Sequence, residues 1–543
     1  MHLIKMFLSA LIFSFLFLSM SEFSFAQHQH SKNKDAVGKI DFPVSDNPEI
    51  QNQFNHALAM LHHMMYEHAY IEFTSITEQE PNCAMAYWGI AMSYLHPLWD
   101  EPTKDDLEKG SDAVKKATLL NPNVKKEQDY ISSIEAFYKD WETIKHSQRL
   151  AAWEKAQEKL YQLYPEDIDA GAFYSLSLLA TAPKEDKTFS NQKKAGALLE
   201  ELLAKASEHP GLFHYTIHAY DNPVLAKDAV EIAHAYDKLA PNVPHALHMP
   251  SHIFVRLGMW ADAIDWNIRS AAASRENSMG EVISRHYLHA LDYLMYAYLQ
   301  QANDKMALDV LSKINTDENY EDNFASAHGI AAGQARYFLE QRQWISASKI
   351  PIRMHSRFPW DKYPWFEAIT YFARGLGSAR INDITAAKDA VKMLDKLYEN
   401  TVTAGQNYWA IQVDIKRITV AAWIANSEGK KEEALTLMQK AADLEDSVDK
   451  HPVTPSAVLP ARELYGDMLL LSGKPNEALD AYTAALEISP NRFNSLYGAG
   501  NAAQLAENLD KAKLYYSKLM ELTNGTESER TEIKEVISFM ANK

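Results

Sequence analysis

Residues 209–264 read HPGLFHYTIHAYDNPVLAKDAVEIAHAYDKLAPNVPHALHMPSHIFVRLGMWADAI, and one residue type recurs through this region at a fixed interval. Ala195, Ala229 and Ala263 follow one another at equal spacing, each within an apolar pattern typical of an amphipathic helix. Their spacing matches the period of about 34 residues that is typical of a helix-turn-helix unit stacking against copies of itself. The interval therefore predicts a helical solenoid.

The same interval extends toward the C-terminus and sets the expected fold class. Ala478 and Ala512 are again separated by this interval, and Ala307, Ala347 and Ala387 recur at a constant but longer one. We expect an all-α fold, a tetratricopeptide-repeat (TPR) solenoid of about ten helix-turn-helix units. The expected division is a secretory signal, a flexible polar segment, N-terminal repeats with the histidines, and C-terminal repeats with a capping helix: residues 1–26, 27–45, 46–350 and 351–543.

The charge of the chain restricts its partners. The formal net charge is -18 over 543 residues. Phosphate backbones are bound by basic patches, so this acidic excess argues against nucleic acid as a partner.

The N-terminus has the pattern of a secretory signal. Lys5 supplies a positive charge, residues 7–18 form an apolar core, and Ser24-Phe25-Ala26 has the small-x-small form of a cleavage site. We therefore expect an exported protein, periplasmic or secreted. No later segment is apolar over a length that crosses a bilayer, so we expect no membrane span after signal removal.

Histidines recur at the same interval as the alanines. This interval separates His214 from His248 and also His218 from His252, which places each pair at equivalent positions of consecutive repeats. Within a repeat the two histidines are four residues apart and share one helical face. That face lines the concave groove of this type of solenoid, so we expect a cluster of imidazoles there.

Such a cluster is a candidate transition-metal site, because imidazole suits zinc, copper and iron. Nearby carboxylates are candidates for an extra ligand or for a hydrogen-bond acceptor of a ligand imidazole. The candidate metal ligands are His214, His218, His245, His248, His252, His286 and His289. The candidate carboxylates are Asp221, Asp292 and Glu463, and the further candidates for the groove wall are His62 and His96.

Other interpretations of the histidines stay open. They hydrogen-bond one another and backbone carbonyls in a polar groove, or they line a groove for an anionic or aromatic ligand without metal. Pro250 counts against a regular array, because proline inside a helix removes a hydrogen bond and kinks the helix. If the helix begins only at Pro250, His245 and His248 lie in the preceding loop.

Several segments carry a resemblance to a known family. NCAMAYWGIAM begins at Asn82, HALHMPSHIF at His245 and SPNRFNSLYGA at Ser489, so the segments extend over most of the chain. The chain resembles a family of secreted bacterial tetratricopeptide-repeat proteins with motifs of this type. The resemblance implies a solenoid and export, and it implies no particular activity.

Two functions are consistent with these patterns. The first is an exported interaction module that binds a protein or peptide ligand in a histidine-lined concave site. The alternative is a transition-metal-binding protein, or a metal-dependent enzyme, that uses the histidines between positions 214 and 289. No nucleophile elbow, phosphate loop or His-Glu-x-x-His motif is evident, so no catalytic residue is assigned and enzymatic activity is left open.

Overall fold

The computed structural model describes residues 35–541, except positions 46, 100, 279, 281, 317 and 318. The expected secretory signal lies outside the described residues. Within them the chain forms 26 α-helices and no β-strand, and Ile283 and Tyr320 form an isolated parallel bridge. None of the helices described here combines the length and the apolar character that crossing a membrane requires.

The helices follow one another through short connections. The first group is α1 (Gln51–His62), α2 (Tyr66–Gln79), α3 (Ala84–Ser93), α4 (Lys104–Leu120), α5 (Lys125–Tyr138), α6 (His146–Leu163), α7 (Ile168–Ala180) and α8 (Ser190–Leu203). The middle group is α9 (Pro210–Tyr220), α10 (Val230–Leu239), α11 (Pro244–His248), α12 (Pro250–Leu257), α13 (Trp260–Glu276), α14 (Arg285–Gln300), α15 (Asp304–Ile314), α16 (Phe324–Glu340) and α17 (Trp344–Ala347). The last group is α18 (Pro364–Arg380), α19 (Ile384–Thr403), α20 (Asn407–Ser427), α21 (Lys431–Asp446), α22 (Ala461–Leu471), α23 (Pro475–Ile488), α24 (Phe493–Leu505), α25 (Leu509–Leu522) and α26 (Thr531–Ala541).

The packing of these helices is that of a repeat solenoid. Each helix contacts the next one, and in most pairs the first helix also contacts the first helix of the following pair, as α1 does α3 and α7 does α9. This pattern confirms the predicted all-α TPR-type fold. The pairs run from α1–α2 to α24–α25, with α26 at the end, which is a few more units than the ten or so expected.

Local signals in the sequence explain where the helices near the histidines begin and end. Asp167 caps α7, because its side chain accepts hydrogen bonds from the backbone of Asp169 and Ala170. Pro210 and Pro244 occupy the first positions of α9 and α11, where a missing backbone N–H costs nothing. Gly258 ends α12 in the left-handed conformation, with φ of 66°.

Pro250 divides one inner helix into α11 and α12. Met249 between them keeps helical dihedral angles, with φ of -52° and ψ of -42°. Its N–H donates to the carbonyl of His245, and the N–H of His252 donates to the carbonyl of Met249. The helix is therefore interrupted without a loop, and His245 and His248 lie on α11. The alternative in which both precede the helix is wrong.

The interior of the superhelix is filled at the level of the histidines. Residues 447–460, between α21 and α22, run across it, and the backbone N–H of Asp449 donates to the carbonyl of Lys184 at 3.2 Å. Arg336 donates to the carbonyls of Ser456 and Ala457. The expected open groove is therefore absent at this level of the described chain, because its own 447–460 segment occupies it.

A buried ion-pair network ties the C-terminal repeats to the middle of the chain. Arg492, just before α24, contacts Glu463 at 3.0 Å and Glu340 at 2.9 Å. It also donates to the hydroxyl of Tyr296 on α14 at 3.1 Å. All three charged side chains are at most 1% exposed. Repeats distant in sequence are thus in direct contact.

The buried apolar residues form two clusters, drawn from residues 40–297 and 271–539, which overlap near α13 and α14. The described part of the expected flexible segment, residues 35–45, places two of its side chains in the first cluster. Its Phe42 is 2% exposed, with its ring 5.0 Å from that of Tyr130, because an apolar ring gains free energy by leaving water.

Candidate metal centre

Four inner helices bring seven histidines together. His214 and His218 lie on α9, His245 and His248 on α11, His252 on α12, and His286 and His289 on α14. Six of these side chains are at most 3% exposed, and His218 is half-buried. Imidazoles in such a setting need a partner for each polar atom, because an unpaired buried nitrogen raises the free energy of the fold.

Three of the histidines form a first group, the 248 triad (His248, His252 and His289). One ring nitrogen of each lies within 4.8 Å of the others. The Nε2 atoms of His248 and His252 are 3.1 Å apart. The ring centroids of His248 and His289 are 4.1 Å apart. The triad therefore brings one ring nitrogen from each of three histidines within 4.8 Å of one another.

Hydrogen bonds on the far side of two rings fix their tautomers. The Nδ1–H of His252 donates to the Oδ2 carboxylate oxygen of Asp221 at 2.8 Å. The Nδ1 of His248 lies 2.8 Å from Oδ1 of Asn267. The amide Nδ2 of Asn267 donates to the carbonyl of Ala263. The atom of Asn267 that faces His248 is therefore its oxygen, which accepts a hydrogen bond. Both rings thus carry hydrogen on Nδ1, and their Nε2 lone pairs face each other.

The protonation state of the two rings makes this contact unusual. Burial lowers the pKa of His248 well below its usual range. Burial also lowers the pKa of His252, although the hydrogen bond to Asp221 opposes the shift. At neutral pH both rings are neutral, and two facing lone pairs repel each other. A cation between them removes the repulsion, and tetrahedral zinc ligands at about 2.0–2.1 Å place two nitrogens about 3.3 Å apart.

A second group, the 214 triad (His214, His218 and His245), lies beside the first. One ring nitrogen of each again lies within 4.8 Å of the others. The Nδ1–H of His214 donates to the carbonyl of His62 at 2.7 Å, so its Nε2 carries a lone pair. Among the described residues, that Nε2, the Nε2 of His218 and both ring nitrogens of His245 have no hydrogen-bond partner.

The two triads are adjacent and share one small cavity. The ring centroids of His218 and His252 are 5.7 Å apart, and those of His245 and His248 are 6.0 Å apart. A cavity of about 10 Å³ is lined by His218, His245, His252, His289, Leu98, Trp99 and residues 451–453. A volume of this size holds about one water molecule. Both triads therefore border a space for one small ligand.

Trp99 covers the cluster on one side. Its ring centroid lies 5.0 Å from that of His245, 5.7 Å from His286 and 5.9 Å from His289. Trp99 and residues 451–452 also line an outer cleft of about 590 Å³, together with Trp365 and Trp409. The cavity and the cleft thus share a wall of aromatic side chains.

A charged network holds Asp221 in place behind His252. Arg256 donates to its Oδ1 and Lys450 to its Oδ2, each at 2.8 Å. Burial opposes ionisation of Asp221, but the charges of Lys450 and Arg256 outweigh it and hold the pKa well below its usual range. Asp221 is therefore a carboxylate that accepts from His252, as metal-bound histidines commonly require.

His62 belongs to a neighbouring hydrogen-bonded group. Its Nε2–H donates to Oδ1 of Asp169 at 2.9 Å, and the hydroxyl of Tyr215 lies 3.0 Å from its Nδ1. His209 lies 3.1 Å from the same oxygen of Asp169. This group holds the last residue of α1, whose carbonyl accepts from His214. His62 therefore lies behind the 214 triad and does not line the shared cavity.

The remaining candidates lie at different distances from the two triads. His286 lies beside His245, with ring centroids 4.9 Å apart, while His96 packs on Tyr66 and lines the outer cleft. The carboxylate of Asp292 lies beside Arg336 and His328. Glu463 is paired with Arg492. Asp292 and Glu463 thus each pair with a buried arginine, and their role at the histidines stays a prediction.

Four of the contributors described above are missing from the candidates drawn from sequence. Arg256 follows His252 on α12, whereas Asn267, Trp99 and the 447–460 segment reach the histidines from other parts of the chain. Asn267 had a local signal, because it lies four residues after Ala263 on the same helical face. Trp99 and the 447–460 segment had none.

No protein-family model and no curated protein sequence matches the chain. Among solved structures, the human IFIT1 dimer with m7Gppp-AAAA is similar over 81% of this chain and 90% of that one, with 14% sequence identity and a TM-score of 0.35. Yeast Tom70 is similar over 90% of this chain and 95% of that one, with 13% identity and a TM-score of 0.29. Likeness at this level carries no information about a ligand of this chain.

Proposed function

We propose that this chain is a transition-metal-binding protein whose centre is the 248 triad. One observation carries the proposal: the Nε2 lone pairs of His248 and His252 face each other at 3.1 Å. A shared proton would relieve the repulsion, but burial lowers the pKa of both rings and disfavours a proton at neutral pH. A metal ion satisfies both lone pairs at once.

The ligand set favours a reactive type of centre. Three imidazoles leave a tetrahedral ion one open position, which is the arrangement of catalytic and not of structural zinc sites. The adjacent cavity has room for a water-sized ligand at that position. Zinc, copper and iron all accept imidazole, and the affinity order of divalent ions favours copper.

Elemental analysis of protein produced without a histidine tag tests the proposal. We expect at least one equivalent of zinc, copper or iron. Replacing His252 with alanine should remove most of the metal, because a three-histidine site tolerates loss of a ligand poorly. His234→Ala is the matched control, since His234 is 39% exposed in its side chain and pairs with Asp262. Metal-free protein that also fails to bind added zinc or copper would overturn the proposal.

A second candidate is the interaction module that the repeat pattern predicts. The observation in its favour is the outer cleft of about 590 Å³, whose wall includes Trp99, Trp365 and Trp409. A protein or peptide ligand with an aromatic side chain suits such a surface. If the chain is an interaction module, it should bind its ligand equally well before and after treatment with a chelator. If binding depends on the metal, the chelator should abolish it.

We also propose that the chain is exported to the periplasm or secreted. The support is the charged, apolar and small-residue order of residues 1–26. N-terminal sequencing of the protein from its native host should give Gln27 first. An intact Met1 on cytosolic protein would contradict export.

A further inference from the structure

We infer that the 214 triad holds a second metal ion, so that the six histidines form a centre of two ions. This inference rests on the proposed function of the 248 triad. The 214 triad has features of its own that suit an ion, independent of an ion in the neighbouring 248 triad.

The first evidence is the state of its nitrogens. His214 is fully buried and His245 is 1% exposed. The Nε2 of His214, the Nε2 of His218 and both ring nitrogens of His245 lack a hydrogen-bond partner within the described chain. Buried polar atoms are rarely left in this state, because each one loses its hydration without compensation. An ion held by one nitrogen from each ring satisfies three of them together.

The second evidence is the support behind His214. Its Nδ1–H donates to the carbonyl of His62, which directs the Nε2 lone pair away from that backbone. Metal-bound histidines commonly donate their other N–H to a carbonyl or a carboxylate. His214 uses a carbonyl, and His252 of the 248 triad uses the carboxylate of Asp221. Each triad therefore contains a histidine oriented in the same way.

The neighbouring group of His62, Asp169 and His209 provides a contrast. Its donor atoms also lie within 4.8 Å of one another. In that group, however, the carboxylate of Asp169 accepts from both histidines, at 2.9 and 3.1 Å. Those nitrogens already have partners, so the geometry is that of a hydrogen-bonded group. Among the described residues, no carboxylate accepts a hydrogen bond from the 214 triad.

The shared cavity indicates what connects the two ions. It is bordered by two histidines of each triad and has a volume of about 10 Å³. Six neutral imidazoles bring no negative charge, and the charge of Asp221 is already paired with Arg256 and Lys450. Two cations in this setting favour a small anionic ligand between them. Hydroxide fits both the charge and the volume, so we place one bridging oxygen ligand in the cavity.

Metal stoichiometry tests the inference on the full chain. Metal-free protein is titrated with copper(II), and separately with zinc, and bound metal is counted by native mass spectrometry. We expect two equivalents in the wild type and one in His214→Ala/His218→Ala. We also expect one in His248→Ala/His252→Ala, and two in the control His234→Ala. Circular dichroism checks that each variant is folded.

Electron paramagnetic resonance of the copper(II) form gives a second measurement that needs no variant. Two copper(II) ions joined by one oxygen couple magnetically, so the signal of the fully loaded wild type should fall well below that of two isolated ions. One equivalent in the wild type, with an ordinary single-ion signal, would overturn the second site and leave the proposed function intact. No bound metal at all would overturn the proposed function itself.

Discussion

The Nδ1–H of His252 donates to Oδ2 of Asp221 at 2.8 Å, although the two residues are 31 positions apart in the chain. The same carboxylate accepts from Arg256 and Lys450, so its position is fixed from three directions. This arrangement determines which nitrogen of His252 is free for a metal ion. The orientation of the imidazole thus depends on residues outside the 248 triad.

Replacing Asp221 with asparagine should weaken metal binding without removing a ligand. The substitution takes away the negative charge that fixes the tautomer of His252, and losses of this kind cost about 10–100-fold in metal affinity. Competition titration with a zinc chelator measures the change. Asp262→Asn is the matched control, because Asp262 pairs with His234, which belongs to neither triad. Equal affinity in both variants would show that Asp221 does not orient the site.

Replacing Arg492 with methionine should destabilise the whole fold. The change leaves the carboxylates of Glu463 and Glu340 buried without their cation, which costs about 3–5 kcal/mol. Urea unfolding measures the free energy of unfolding. Lys474→Met removes an exposed pair with Glu477 and should change it by less than about 1 kcal/mol. A small effect in Arg492→Met would mean that the contact between distant repeats contributes little.

Acid should destabilise the metal-free protein partly through His63. Burial lowers the pKa of His63 to about 3, while an unfolded histidine titrates near 6.5. Between these values the unfolded chain binds the proton and the folded chain does not. Stability therefore falls as pH decreases through this window, by about 1.4 kcal/mol per pH unit for one group.

The variant His63→Gln isolates this contribution. Glutamine can donate to the carbonyl of Val37 and accept from the hydroxyl of Tyr236, as the neutral ring does. We expect a shallower loss of stability between pH 6 and pH 4 than in the wild type, measured by urea unfolding of chelator-treated protein. Parallel curves for the two proteins would rule out His63 as a source of the acid sensitivity.

Replacing Gly211 with alanine should disturb the 214 triad indirectly. A Cβ at this position would overlap the Nδ1 of His62, whose backbone carbonyl holds His214. We expect a loss of about 1–3 kcal/mol in stability from overpacking, together with weaker binding of the second copper equivalent. Gly171→Ala is the control, because its Cβ would meet the flexible end of Leu202. If both variants keep two equivalents with equal affinity, His62 does not position the triad.

The sequence predicted what depends on local periodicity. Apolar positions and alanine spacing define helices and their inner faces, so the placement of His214, His218 and His252 on inner helices followed from spacing alone. The pairing of His214 with His245 did not, because it depends on the interruption of the helix at Pro250. Repeat spacing does not give the packing of the short segment that precedes an interrupting proline.

Contacts between distant repeats could not be predicted from the sequence, for a different reason. The position of Trp99 or Lys450 relative to the histidines depends on the rotation added by every repeat between them. Small differences in each rotation accumulate along the solenoid. For the same reason Asp292 and Glu463, each near the groove by register, instead meet Arg336 and Arg492.

The contact of Arg492 with Glu340 also limits how this gene can evolve. Open solenoids gain and lose repeats by duplication and deletion, because each unit touches only its neighbours. Here an additional unit between α16 and α22 would move Arg492 away from Glu340 and the 447–460 segment away from the histidines. We therefore expect homologues that keep the histidine cluster to vary in loop length and not in the number of repeats between α16 and α22.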